Sequence, residues 1–193
     1  MKRLLLLLIL AVPSFADAQI HMSTALIASA EAVSPKAPEL WNFRLGLTLQ
    51  EVQQRYPAMA VGRTDEFGIT PGSIGMSVNN RYQHNMAGLD HVVLAFVDGR
   101  LAHYSASLTT QTYYLDIDAY AARMSSSLQL PNAWQQSNKL PGALMLNCAG
   151  FEVFVFTHPQ PGIGMTDTSA LNKVLQRWKG NVRTADRIPF SYY

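Results

Sequence analysis

The chain has 193 residues, 48% hydrophobic and 15% charged, with a formal net charge of +2 and one cysteine. It is too apolar to be disordered throughout, has no collagen-like glycine repeat, and lacks the cysteine pairs of a disulfide-stapled mini-protein. The near balance of charge disfavours nucleic acid as a ligand, because proteins that bind it carry a marked excess of Lys and Arg on one face.

The N-terminus reads as a secretory signal peptide, residues 1–18. Lys2 and Arg3 precede an apolar run from Leu4 to Val12, Pro13 ends it, and Ala16-Asp17-Ala18 supplies the small-x-small pattern cleaved after Ala18. As a helix that run spans only about 15 Å, against a hydrocarbon core of roughly 30 Å, so a membrane anchor is the weaker reading. No cysteine follows it to carry a lipid, and no later stretch is long and apolar enough for a membrane span. The expected product is soluble and periplasmic or secreted. Lys2, Arg3 and Asp17 leave with the signal, so the mature charge is close to neutral. The basic stretch Lys173, Arg177, Lys179, Arg183 and Arg187 is broken by Asp186 and reads as a solvated face.

Residues 19–40 read as a flexible leader, with order beginning near Trp41. Thr48 with Glu51 forms a capping box ahead of Leu49, Val52 and Tyr56, predicting a helix of about nine residues that Pro57 ends. Too short to stand alone, this helix must pack on a sheet. Strand signals follow, one at Ser73 to Asn79. Val92 to Val97 then leads into Asp98-Gly99, the preferred pair for a two-residue type I′ turn. With that turn Ala95 pairs with Ala102 and Val93 with Tyr104, and His91 and His103 fall on opposite faces. Asp116 is placed to cap a helix through Ile117, Tyr120, Ala121, Met124 and Leu128, stopped by Pro131. A second hairpin runs from Leu144 to Thr157 around Ala149-Gly150, with Leu144, Leu146, Cys148, Phe151, Val153 and Val155 on one face. Pro159, Pro161, Gly162 and Gly164 read as a loop, and a last helix follows Asp167 or Thr168.

This order predicts an α+β fold: an antiparallel sheet of two helix-plus-hairpin halves, 41–112 and 113–181, with helices packed on one face. The halves make a single domain, 41–193, and one undivided domain is the competing description. The tail, with Ile188, Phe190, Tyr192 and Tyr193, is too apolar to be free and is expected to dock on the domain or on a partner.

The segment Leu45-Gly46-Leu47-Thr48-Leu49-Gln50-Glu51-Val52, followed by Val93-Leu94-Ala95-Phe96-Val97-Asp98-Gly99-Arg100-Leu101, resembles two groups of small exported bacterial domains. These are the outer-membrane-assembly lipoprotein domains of the SmpA/OmlA type and the β-lactamase-inhibitor-protein-like folds. Both open on such a helix start and continue into an antiparallel sheet with an aspartate-glycine hairpin. The resemblance covers about 60 residues. It implies a protein-binding surface on a sheet, while the missing acylated cysteine departs from the lipoproteins.

Catalytic patterns are sparse. Cys148 with His158 is the one thiol and base pair, but the hairpin puts Cys148 beside Leu146 and Phe151, where a free cysteine packs as a small hydrophobe. None of the histidines has metal-motif spacing. Gly72-Ser73-Ile74-Gly75 and Gly162-Ile163-Gly164 lack nucleophile-elbow or nucleotide context and read as turns. Asp65 with Glu66, and Asp116 with Asp118, are the neighbouring carboxylate pairs, neither placed for acid and base work. Arg100 and Tyr104, on the face of Ala95, Val97 and Ala102, are candidates for a groove or partner surface, joined by Phe190, Tyr192 and Tyr193; Tyr82, Tyr113, Tyr114 and Trp134 share the ambiguity of core and interface aromatics. The expected function is binding of a protein or a cell-envelope component without catalysis, cofactor or metal. The alternative is a small-ligand binder or hydrolase with a site assembled around His84, Asp90, His91 and Tyr104.

Overall fold

In the computed structural model, residues 37–75, 88–109, 116–158 and 160–180 are described. The signal, leader residues 19–36, Tyr82, His84, Tyr113, Tyr114 and the tail with Phe190, Tyr192 and Tyr193 lie outside them.

Thr48 starts helix α1 (Leu49–Arg55) as its sequence predicts. Its hydroxyl accepts from the Glu51 amide at 3.2 Å, while the Glu51 carboxylate accepts from the Thr48 amide at 2.7 Å. These bonds hold the Glu51 carboxyl below its ordinary range. Thr48→Ala is expected to cost about 1 kcal/mol in urea unfolding; an unchanged midpoint would mean the cap carries no weight.

After α1 come β1 (Ala60–Val61), β2 (Ile69–Gly75), β3 (Leu89–Val97) and β4 (Arg100–Leu108). Helix α2 (Ile117–Leu128) opens the second half, followed by β5 (Gln135–Gln136), β6 (Leu144–Cys148), β7 (Phe151–Phe156), β8 (Gly162–Asp167) and α3 (Thr168–Gly180). The strands form one antiparallel sheet in the order β1-β2-β3-β4-β8-β7-β6-β5. Each half is thus a helix followed by a four-stranded meander. The halves meet through their last strands, with Ser105 of β4 opposite Gly164 of β8.

The fold is α+β, with an antiparallel sheet of two halves. Helices α1 and α2 cover one face, where Val52, Tyr120 and Ala121 join Leu94, Phe96, Tyr104, Val153, Ile163 and Met165 in the main core. Helix α3 differs from the one-layer expectation. Its Val174 packs with Phe67, Ile69, Ala95, Val97 and Ala102 on the opposite face, because β8 at the sheet centre delivers the chain there. Asp167 caps α3 by accepting from the Ala170 amide at 2.9 Å. Asp116 sits at the head of α2 but makes no capping bond with its side chain, which corrects the role expected for it.

The second hairpin has the predicted register, Cys148 opposite Phe151 across Ala149-Gly150. In the first, Val97 pairs with Arg100 and Phe96 with Leu101 as expected, but a bulge follows and Ala95 faces His103. Beyond it the register slips by one residue. A one-residue slip sends every later side chain to the other face, so Leu94 pairs with Tyr104 and Val93 with Ser105. Two glycine-containing segments read as turns are strands: Gly72-Ser73-Ile74-Gly75 lies in β2, and Gly162-Ile163-Gly164 begins β8. Strand β2 starts at Ile69, earlier than predicted, and residues 76–79 lie outside the described residues.

Candidate functional site

The sheet register aligns the side chains of the α3 face in cross-strand rows. Nearest the Asp98-Gly99 turn, α3 fills the face. Arg177 fixes it there with a two-pronged bond to the Asp98 carboxylate, at 2.9 Å for each oxygen, and a third bond to the Phe67 carbonyl at 2.8 Å. The guanidinium holds the Asp98 carboxyl below its ordinary range. The shallow groove expected over Ala95, Val97 and Ala102 is therefore occupied by a helix of the same chain.

The next row holds His103 and Thr166. The His103 ring is 7% exposed and shares a hydrogen bond between Nδ1 and the Thr166 hydroxyl at 2.8 Å. It stacks on Phe154 with centroids 5.7 Å apart, and Phe154 in turn stacks on Phe156 at 6.1 Å. Burial pushes the imidazole pKa down to about 4, so the ring is neutral near pH 7. Both phenylalanine rings lie across β8 at its glycines. A Cβ at Gly164 would run into the Phe154 ring, and one at Gly162 into Phe156 and, at 2.6 Å, the Ala106 carbonyl oxygen.

The rings cover the two glycines of β8, and on the neighbouring strands no helix among the described residues lies over this part of the face. Across β2, β3, β4 and β8 one row reads Ser73, Val93, Ser105 and Gly164, and the next Gly75, His91, Ser107 and Gly162. Val93, the one apolar side chain in these rows, belongs to neither core cluster. His91 is exposed, and Ser73, Val93, Ser105, Ser107 and the flanking Phe156 are half-buried. The surface is floored by small uncharged side chains and walled on one side by an aromatic ring.

The proposed residue sets fare unevenly. Tyr104 is fully buried on the α1 and α2 face, its hydroxyl donating to Met165 Sδ at 3.1 Å, and burial raises its pKa. It therefore contributes to no surface, which corrects its pairing with Arg100. Arg100 is exposed and donates to the Gly46 carbonyl at 3.1 Å, tying the segment before α1 to β4. The grouping of Asp90, His91 and Tyr104 is not assembled, since His91 and Tyr104 lie on opposite faces, and His84 is outside the described residues. Asp90 is the half-buried extra residue of a second bulge in β3. His91 and His103 share a face after all, but four strand positions separate their rows, about 13 Å.

Cys148 is half-buried against the main core with its thiol pKa raised by burial, and the length of β7, about 17 Å, separates it from His158. The Asp65 carboxylate is spent on its own loop, accepting from the Phe67 and Ile69 amides. Trp134 is partly buried against the main core, and its indole donates to Ser125 Oγ at 2.7 Å. Among the described residues no group of three His, Cys, Asp or Glu could hold a metal ion, and no helix is long and apolar enough to cross a membrane.

Sequence reasoning missed one concave feature, a cleft of about 420 Å³ lined by Glu39, Asn42, Arg55 and Tyr56. Trp41 and Asn42 both have positive φ there, 48° and 62°, in a tight turn closed by Leu40 and Phe43. The Tyr56 hydroxyl donates to the Trp41 carbonyl and Arg55 to the Asn42 carbonyl, each at 2.7 Å. Those two polar groups thus hold the turn. The sequence marks it only through Asn42, a residue type that tolerates positive φ, since Trp41 does not and neither is the glycine such a turn favours.

Compared with protein-family models, curated proteins and solved structures, the chain matches none of them.

Proposed function

We propose that the protein is an exported, non-catalytic binding module that meets a protein partner with the half of its α3 face that no helix among the described residues covers. One observation carries this reading: Val93 and Phe156 are apolar, lie on strands in the middle of the sheet, and yet are only half-buried and join neither core cluster. The rows carry no Lys, Arg, Asp or Glu and are flanked by an aromatic ring, two traits of a protein-binding patch, while their serines are a residue type such patches carry less often. The resemblance to β-lactamase-inhibitor-protein-like folds supports the same reading, since it implies a protein-binding surface on a sheet.

The test places a photo-crosslinking amino acid at Ser107, and in a control protein at exposed Gln53 of α1, in the full chain produced in an exporting cell. A discrete higher-mass adduct is expected from position 107 and not from position 53. Equal labelling at both positions, or none at 107, would sink the reading.

A further inference from the structure

We infer that the cleft between the Trp41-Asn42 turn and the end of α1 binds a small zwitterion, a free amino acid or a short peptide with both ends unblocked, its ammonium on Glu39 and its carboxylate on Arg55. The volume of about 420 Å³ is that of a small-molecule site. Tyr56, only 3% exposed, lies at the floor, and Glu39, Asn42 and Arg55 are exposed around it. Burial raises the Tyr56 pKa, and smaller contributions come from Arg55, which lowers it, and Glu39, which raises it, so both charges lie close to the phenol. Yet among the described residues the two make no ion pair, and the Glu39 carboxylate accepts no hydrogen bond.

The backbone keeps these opposite charges apart. Arg55 commits one Nη donor to the Asn42 carbonyl at 2.7 Å, which leaves the rest of its planar fork for a ligand carboxylate. Glu39 precedes Leu40, whose two bonds with Phe43, at 3.0 and 2.7 Å, close the turn, while Ala37, Leu40 and Trp41 pack on the main core. A bulky aromatic at a φ of 48° is a backbone outlier, and such strain persists where surrounding contacts over-determine it, as they do at ligand clamps. Here the contacts are the bonds from Tyr56 and Arg55, both residues of the cleft itself. An apolar or singly charged ligand would leave one of the two charges facing it without a partner, whereas a zwitterion satisfies both.

The experiment titrates the full chain with alanyl-alanine and follows its amide signals. Saturable shifts are expected at Glu39, Asn42, Arg55 and Tyr56, and none at Ser107 on the other face. Acetyl-alanyl-alanine, which lacks the ammonium, and alanyl-alanine amide, which lacks the carboxylate, should each bind at least about tenfold more weakly. Free alanine separates the two sources: weaker binding than the dipeptide supports the inference with a peptide as ligand, and equal binding supports it with an amino acid. Glu39→Gln, a change at an exposed side chain, should weaken alanyl-alanine about tenfold and leave the acetylated form unchanged. Three results would each overturn the inference: no saturable shift at these positions up to about 10 mM ligand, blocked dipeptides that bind as well as the zwitterion, or a Glu39→Gln variant that binds as before. The cleft lies on the α1 side of the sheet, so none of them bears on the Ser107 adduct that tests the partner reading.

Discussion

Gly164→Ala and Gly162→Ala should each destabilise the protein by about 2 kcal/mol, the usual scale for forcing an extra carbon into a packed site. The sign is opposite to that of an ordinary strand, where replacing glycine by alanine gains roughly 0.5–1 kcal/mol. At Gly164 the added carbon meets Phe154, whose ring is held between His103 and Phe156 and cannot swing without breaking both stacks. At Gly162 it also meets the Ala106 carbonyl of the neighbouring strand, so relief there requires opening the β4–β8 ladder that joins the two halves. Urea unfolding measures both. The discriminating variant is Gly164→Ala combined with Phe154→Ala. Removing the ring costs about 3 kcal/mol alone but also removes the clash, so the pair should be less destabilised than the sum by at least about 1 kcal/mol. A neutral Gly164→Ala, or simple additivity in the pair, would show that the ring does not lie on the glycine.

The same glycines explain what was and was not legible in the sequence. Local signals worked where local chemistry decides the outcome: the capping box at Thr48 and Glu51, the Asp98-Gly99 turn with φ of 51° and 75°, and the alternating pattern of β6 and β7. They failed at β8, because Pro161-Gly162-Ile163-Gly164 has low strand propensity and every punctuation mark of a loop. What makes it a strand is tertiary: Phe154 and Phe156, already placed by the β6–β7 hairpin, need neighbours without side chains. A strand read as loop also hid how the halves join and why α3 emerges on the opposite face.

The candidate site was less legible than the fold for a related reason. One bulge beside Ala102 moves Tyr104 into the main core and His103 onto the α3 face, and nothing in Leu101-Ala102-His103-Tyr104 announces it. Each residue type is compatible with either face, so the choice rests on packing across the sheet. Leu94 opposite Tyr104 and Phe43 beside it, with ring centroids 5.8 Å apart, give the phenol an apolar site that the other register lacks. Arg100 precedes the bulge and kept its predicted partner, whereas Tyr104 follows it and did not.

The displaced histidine should leave its mark on acid stability. Burial lowers the His103 pKa from an ordinary 6.5 to about 4 in the folded protein, so below pH 6.5 the unfolded chain takes up a proton that the native ring refuses. The stabilisation from a neutral ring is therefore complete above pH 6.5, drains away as the pH falls toward 4, and changes no further below it. A shift of this size corresponds to about 3 kcal/mol over that window. Glu51 and Asp98, whose pKa values are lowered, also lose their contributions on acidification, but only as the pH falls through the carboxylate range. The comparison that isolates the histidine is His103→Gln, which keeps a side-chain hydrogen-bonding partner for Thr166 and has no proton to take up. Urea unfolding at pH values from 7 to 4 should show the natural protein losing about 3 kcal/mol more than the variant, with the two curves parallel above pH 6.5. Parallel curves across the whole range would mean that the imidazole reaches solvent or is already charged in the folded state, and the stack of His103 on Phe154 would then have to open.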